Sequence, residues 1–509
     1  MDNLLYIGLD IGTSGCKASV VGKDGVVVRY AHKEYSTTTP RPGYIELDAR
    51  TVYAAAKEVL AQISGPDICA IAVASIGEAV VLLGEDDSVL ASSIYYSDMR
   101  GIAEVEDIRN AMSAEEIIRI TGMPTGPMFS ANKLLWIKKH DPDFYATAKY
   151  KMLFGDYISF MLTGEKVIDY SLASRTMLFD VRHNDWAHEV ADAIGLDTNG
   201  FSRPVQSGTI IGPLRPQLAS EFGLPEKTVV VAGGHDQAVA ALGSGAVLPG
   251  ESLDGMGSSE CLTMVLDGCD IEPIMTRYGF CCEPHVIPDT FVTLAFNASA
   301  GTAIKWFLDT FETERLAGIL GENENAFALL DAEVGDAPTN ILFLPYVAGS
   351  GTPWFDSQTG GAFVGLRQGM ERKELYKSVL EGISYEIKYN ESLLEKCGLS
   401  LHSIIAAGGG AQSEKLMQIK ADIMDRRIDV LENWEIGTIG LALICAKAMG
   451  DIDDLGDAAK RISKVAKSYE PDRERAEHYA RKLKEYRGIY TSIKSLSAML
   501  SSRHAMPKP

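Results

Sequence analysis

Short apolar runs alternate with amphipathic stretches along nearly the whole chain. Runs at 5–9, 17–21, 71–74, 228–232, 262–265 and 404–407 are continuous or of period two and predict strands. Stretches at 51–63, 114–120, 131–140, 372–397 and 413–425 repeat near 3.6 residues and predict helices. The charged, periodic stretch from Asp472 to about Ser492 predicts one long solvent-facing helix, and the final SSRHAMPKP predicts a frayed tail. The pattern as a whole is mixed α/β.

One local pattern occurs twice. An apolar run, then Asp10-Ile-Gly12-Thr13-Ser14-Gly15, then a second apolar run beginning near Lys17 reads as a β-hairpin. Some 240 residues later Asp254-Gly-Met-Gly257-Ser258-Ser259 is followed by Cys261-Leu-Thr-Met-Val-Leu266 in the same way. Glycines allow close backbone approach, while hydroxyl and N–H groups hydrogen-bond phosphate oxygens. Two such hairpins, one opening each half, predict two related domains with a nucleotide clamped between them. A third cluster, Gly408-Gly409-Gly410-Ala411, lies between a strand run and a helix run, where small residues let backbone pack on a flat ring or a phosphate. It is neither Gly-x-Gly-x-x-Gly nor a Gly-Lys-Ser/Thr loop, which argues against a Rossmann dehydrogenase and a P-loop kinase.

Composition narrows the field. At 509 residues the chain is too long for one core. A net charge of −21 repels nucleic acid and anionic membranes, so neither is an expected partner. It still permits a nucleotide held by backbone N–H groups and a metal ion. No apolar run is long enough for a membrane span. The opening MDNLLYIGLDIGTS does not read as a signal peptide, and the eight scattered cysteines form no Cys-x-x-Cys pair, so reduced thiols in the cytoplasm are the expectation.

The candidate base is Asp236, in Gly233-Gly-His235-Asp236-Gln237 directly after a strand run. A hydroxyl is a poor nucleophile, and a carboxylate within hydrogen-bond reach can take its proton during group transfer. The same residue would also serve as a helix cap.

Met128-Phe-Ser130-Ala-Asn-Lys133-Leu-Leu-Trp136-Ile-Lys-Lys-His140 is similar to the first signature of the FGGY carbohydrate kinases. Gly361-Ala-Phe-Val-Gly365-Leu366 and, seven residues on, Glu374-Leu-Tyr-Lys-Ser378-Val-Leu-Glu381 resemble the second. The resemblance spans roughly residues 4 to 490. It implies an α/β fold of two actin/hexokinase-like (ribonuclease H-like) domains with a central cleft. The expected division is 1–246 for sugar, first hairpin and base, 247–495 for ATP, and 496–509 as a flexible tail. It implies ATP and Mg²⁺ as cofactors, a small sugar as substrate, and allows a homodimer.

By the same resemblance Asp10 serves the metal, and Thr13, Ser14 and Lys17 approach the phosphates. Gly257, Ser258, Gly301 and Lys305 belong to the second phosphate hairpin and the ribose side, and Gly409, Gly410 and Ala411 to the adenosine turn. Glu78, Asp98, Arg100, Asp236 and Gln237 are the expected sugar contacts, with Asp98 and Glu78 accepting from hydroxyls and Arg100 orienting Asp98. Tyr96 and Trp354 are candidate apolar walls, Trp354 equally a core residue, and His235 either lines the sugar pocket or is structural. Many xylulokinases carry Met-His-Gly near position 77 and glycerol kinases Arg-Glu; Gly77-Glu78 matches neither fully. A ketopentose such as xylulose or ribulose is the first expectation, then a hexulose, gluconate or a polyol, with a non-sugar ATPase of the same superfamily as the rival.

Overall fold

A computed structural model describes residues 4–269, 273–317 and 326–504. Two twisted sheets organise the chain. The first contains β1 (Leu5–Ile11), β2 (Gly15–Gly22), β3 (Val27–Glu34), β4 (Ile68–Ser75), β5 (Ile210–Pro213) and β6 (Val229–His235), in the order β5-β6-β4-β1-β2-β3. The second contains β7 (Glu251–Met256), β8 (Glu260–Leu266), β9 (Glu283–Pro284), β10 (Phe291–Asn297), β11 (Ser403–Ala407), β12 (Ile428–Leu431) and β13 (Val465–Tyr469), in the order β9-β10-β8-β7-β11-β12-β13.

The two orders superimpose once β9 is set aside. In each sheet an antiparallel hairpin carries a third antiparallel strand on one side and parallel strands on the other. Asp10 lies opposite Ala74 across β1/β4, and Asp254 lies opposite Ala406 across β7/β11. The duplicated hairpin motif is therefore the visible part of a duplicated domain. Strands buried on both faces, such as Ile68–Ser75, read as continuous apolar runs because helices cover both sides.

Helix α1 (Ala49–Ile63) covers one face of the first sheet, its apolar residues Val52, Ala56, Val59 and Ile63 forming one stripe. Helices α2 (Asp236–Ser244), α3 (Arg372–Lys396), α4 (Glu414–Met424) and α5 (Ile436–Ala448) complete the layers. Helix α5 departs from the expected division at 246/247. It is apolar all round and buries Ile439, Leu441, Leu443 and Ile444 against the first sheet, although it comes from the C-terminal half of the chain. Glycines allow the close crossing: a Cβ on Gly8 would sit 2.2 Å from the Thr438 carbonyl, and one on Gly243 would sit 1.8 Å from that of Ile436.

The stretch expected as one solvent-facing helix is two helices, α6 (Arg473–Tyr486) and α7 (Ile489–His504). In α6, Ala476, Tyr479, Leu483 and Tyr486 recur on one buried face, and the last three enter the C-terminal core. The Tyr479 hydroxyl donates to Glu381 at 2.9 Å. The many charges around this stripe hide it in the sequence. Helix α7 runs into the segment expected as a tail from 496, and 505–509 lie outside the described residues.

Candidate active site

Two cavities adjoin, the first between the two sheets and the second within the C-terminal half. One, of about 380 Å³, lies between the two hairpins and the β4 and β6 strand ends. The other, of about 740 Å³, lies over the second hairpin and the Gly409-Gly410 turn. Met256, Gly257 and Gly409 line both.

Asp10, Thr13, Lys17, Glu78, Asp236 and Gln237, distant in sequence, meet around the first cavity. Asp10 is the next-to-last residue of β1; Lys17, its partner across the hairpin, brings Nζ to 3.7 Å from Asp10 Oδ2 and 3.4 Å from Glu435. Burial raises the Asp10 carboxyl above its ordinary range, partly countered by Lys17, and its Oδ1 has no hydrogen-bond partner. A buried, unsatisfied carboxylate oxygen beside a phosphate hairpin fits a hard cation such as Mg²⁺, which is held by one or two carboxylates and substrate phosphates. Among the described residues no cluster of three metal-ligating side chains offers an alternative. Gly257, Ser258, Gly301, Lys305, Gly409 and Gly410 line the second cavity. Gly301 is obligatory there, because its Cβ would meet the Gly257 carbonyl at 2.5 Å. Lys305 is largely exposed and paired with Asp309 at 3.0 Å.

Five expected residues line neither cavity. Ser14 sits exposed on the first hairpin, and Ala411 is buried beneath the glycine turn. Asp98 and Arg100 depart furthest from expectation. The Asp98 carboxylate is saturated by Arg100 Nε (2.9 Å) and Nη2 (2.6 Å) and by the N–H groups of Ile45 (2.5 Å) and Arg100 (2.7 Å). Lys133, from the first signature, donates to the carbonyls of Asp98 (2.7 Å) and Arg100 (2.6 Å). This cluster braces the wall carrying Tyr96 instead of contacting the cleft itself. Trp354 stacks on Tyr490 at 4.3 Å and packs on the C-terminal core, its core reading.

Asp236 is the first residue of α2, directly after β6. Burial pushes its carboxyl up to about 6, against the lowering effect of His235. Gln237 Nε2 donates to its Oδ1 at 3.1 Å. Glu78 has φ 64°, a region non-glycine residues rarely occupy, and its carboxylate is buried against Arg175, which donates through Nε at 2.9 Å and through Nη2.

Arg175 and Glu283 are the residues that sequence reasoning missed. Arg175 Nη1 donates to Glu283 Oε2 at 3.1 Å, Glu283 Oε1 accepts from His235 Nδ1 at 2.7 Å, and His235 Nε2 lies 3.3 Å from Asp236 Oδ1. The available signal for Arg175 was Gly77: a Cβ there would stand 2.8 Å from Arg175 Cγ, so the glycine makes room for the arginine. Glu283 lies in no motif and has no such signal.

Two lobes of repeated topology, a phosphate hairpin in each and a carboxylate between them define a two-domain phosphotransferase of the actin/hexokinase-like architecture. Family models for the N- and C-terminal domains of the FGGY family of carbohydrate kinases match residues 5–243 and 256–449. The chain belongs to that family and is a carbohydrate kinase. It is 28% identical over 504 residues to the xylulose kinase of Bacillus subtilis (strain 168), covering 97% of this chain and 98% of the relative. Ligand-bound xylulose kinase from Lactobacillus acidophilus is similar in structure, with a TM-score of 0.88 at 25% identity, covering 97% of this chain and 99% of the other. Gluconate kinase from the same organism gives 0.86 at 25% identity, with coverage of 96% and 98%.

Proposed function

We propose that this kinase transfers the γ-phosphoryl group of ATP to a hydroxyl of a neutral ketose, a ketopentose such as xylulose or ribulose, with Asp236 as general base. The observation that carries the choice of a neutral sugar is the state of the cations. Lys17, Arg175 and His235 line the first cavity, and each is within ion-pair distance of two carboxylates. None is left for a substrate carboxylate, which would enter beside Glu78 and Asp236 unpaired. That disfavours an aldonate such as gluconate, although a gluconate kinase is among the similar structures.

The sugar would sit between Glu78 and Asp236, with Tyr96 against its C–H face and Gln237 beside the reacting end. Thr13, Lys17 and the N–H groups of the two hairpins would hold the phosphates, and the second cavity would take the nucleoside over Gly409-Gly410. Asp10 would hold Mg²⁺, which when bound neutralises phosphate charge. Asp236 then takes the hydroxyl proton as the oxygen attacks in line, and the walls of the cleft keep water from competing.

Asp236→Asn should bind ATP and fold normally while losing about 10³-fold in kcat. Wild-type kcat should fall as pH drops through about 6, where this carboxyl becomes protonated and can no longer accept a proton. ADP release measured against a panel of ketoses, polyols and aldonates tests the substrate class. Wild-type turnover in the asparagine variant would remove Asp236 as base, and gluconate outperforming every ketose would remove the neutral-sugar reading.

A further inference from the structure

The base is contacted by a residue that is itself held from the opposite half of the molecule. His235 has its backbone fixed within the N-terminal half, its N–H donating to Ser171 Oγ at 2.8 Å. Its side chain is fixed by Glu283, on β9 at the edge of the C-terminal sheet. That strand is docked on the N-terminal half: the Cys282 N–H donates to the Gly122 carbonyl at 2.7 Å, and a Cβ on Gly122 would meet the Cys282 carbonyl at 2.1 Å. Glu283 is fully buried and spends one oxygen on His235 and the other on Arg175, which also binds Glu78. β9 is the strand that has no counterpart in the first sheet.

A carboxylate only accepts hydrogen bonds, so the Nδ1 that faces Glu283 carries a proton and the ring plane is set by that bond. Nε2 is thereby aimed at Asp236 Oδ1, 3.3 Å away. The imidazole is flanked by two carboxylates, and burial, which alone would favour the neutral ring, is outweighed by them.

We infer that His235 and Glu283 are positioning residues for phosphoryl transfer: Glu283, supplied by the C-terminal half, orients His235, and His235 holds Asp236 in the geometry that reaches the sugar hydroxyl. Through Arg175 the same glutamate steadies Glu78 at the other end of the sugar. The base and the sugar-facing carboxylate are therefore set by the docking of the two halves. This inference rests on Asp236 being the base.

The test uses two histidine replacements that differ in reach. Glutamine places an amide nitrogen near the former Nε2 and keeps a donor toward Asp236; asparagine places its amide near Nδ1 and keeps only the side facing Glu283. His235→Asn should lose about 30-fold in kcat with KM for ATP within about twofold of wild type, and His235→Gln should stay within about fivefold of wild-type kcat. Glu283→Gln should lose about tenfold in kcat and raise KM for the ketose, since an amide nitrogen would face Arg175. Thermal melting and ATP binding verify that each variant is folded, and if Glu283→Gln fails there the histidine pair decides alone. Equal losses in the asparagine and glutamine variants, or wild-type kcat in both, would overturn the inference. Asp236→Asn run alongside separates the two failures. If it keeps turnover, the base assignment falls; if it is silent while His235→Asn is normal, only the positioning role falls.

Discussion

The two hairpins share a topology and differ in what covers their acids. In the first, α5 passes over Asp10 with a glycine: a Cβ on Gly437 would lie 3.1 Å from Asp10 Oδ2. The carboxylate stays open to the cleft, with Lys17 beside it and one oxygen unpartnered. In the second, α4 presents Lys420. Its Nζ reaches Asp254 Oδ2 at 2.5 Å and bonds Glu260 on the returning strand, with all three side chains fully buried. The same β-hairpin thus presents an open acid to the cleft in one half and an acid locked by a buried lysine in the other. The duplication supplied two acids, and the residue on the covering helix decided their fates.

The largest effect expected from this difference falls on Asp10. Asp10→Asn removes the charge that would hold Mg²⁺ without changing the side chain's size, and should lower kcat by about 10²–10³-fold and weaken Mg²⁺-dependent nucleotide binding. Its melting temperature should stay close to that of the wild type or rise, because a buried and unsatisfied charge is gone. Steady-state kinetics and a melt with and without Mg²⁺–ATP measure both. An active Asp10→Asn enzyme would break the comparison at its first term.

Lys420→Met gives the mirror image. It leaves the buried Asp254 carboxylate without its cation, beside Glu260, which should cost about 3–5 kcal/mol. For a half of this size that corresponds to a melting temperature lower by roughly 10 °C. The fraction that remains folded at low temperature should still turn over, since Lys420 lines neither cavity. Calorimetry together with kcat per folded molecule distinguishes the cases. A Lys420 variant that melts normally but is inactive would place the second cluster in the chemistry, against its reading as scaffold.

What could be read in the sequence follows the same line. Hairpins, the glycine turn and Asp236 were legible because their chemistry is local: a strand run, a tight Gly/Ser/Thr turn and a carboxylate within a few residues. Asp98 and Arg100 were legible as a pair, but their facing was not, because it is set by Ile45, whose N–H binds the Asp98 carboxylate, and by Lys133, which binds the Asp98 carbonyl, both far along the chain. Glu283 carries no signal and Arg175 only the distant Gly77 that makes room for it, and the two meet only when the halves dock. Helix α5 was invisible as a shared element for a different reason: an all-round apolar helix says that it is buried, not against which sheet.

The smallest effect sharpens the scaffold half of the comparison and concerns which acid in it carries charge. Lys420, Asp254 and Glu260 are one cation and two acids out of contact with water, and neutrality there requires one proton more than three free groups would hold at pH 7. Burial, reinforced by the Asp254 charge, raises Glu260 above its ordinary range against the pull of Lys420, so the proton belongs on Glu260. A carboxyl whose pKa is raised on folding binds its proton more tightly in the native state. Its contribution is complete below the unfolded value and is lost as pH climbs through the folded one, so native stability should decline with pH on this account. Glu260→Gln copies the protonated acid in size and neutrality. It should cost only about 1 kcal/mol at neutral pH, mainly from the altered contact with Asn297 Nδ2, which donates to Glu260 at 3.3 Å. It should also flatten the decline in stability with rising pH, because the group that titrates is gone. Asp254→Asn should behave differently, costing about 3 kcal/mol or more by leaving Lys420 without its charged partner. Urea melts of both variants at several pH values compare the slopes. Equal destabilisation by the two amides, with the pH dependence of the wild type retained in Glu260→Gln, would put the proton elsewhere and leave the cluster charged.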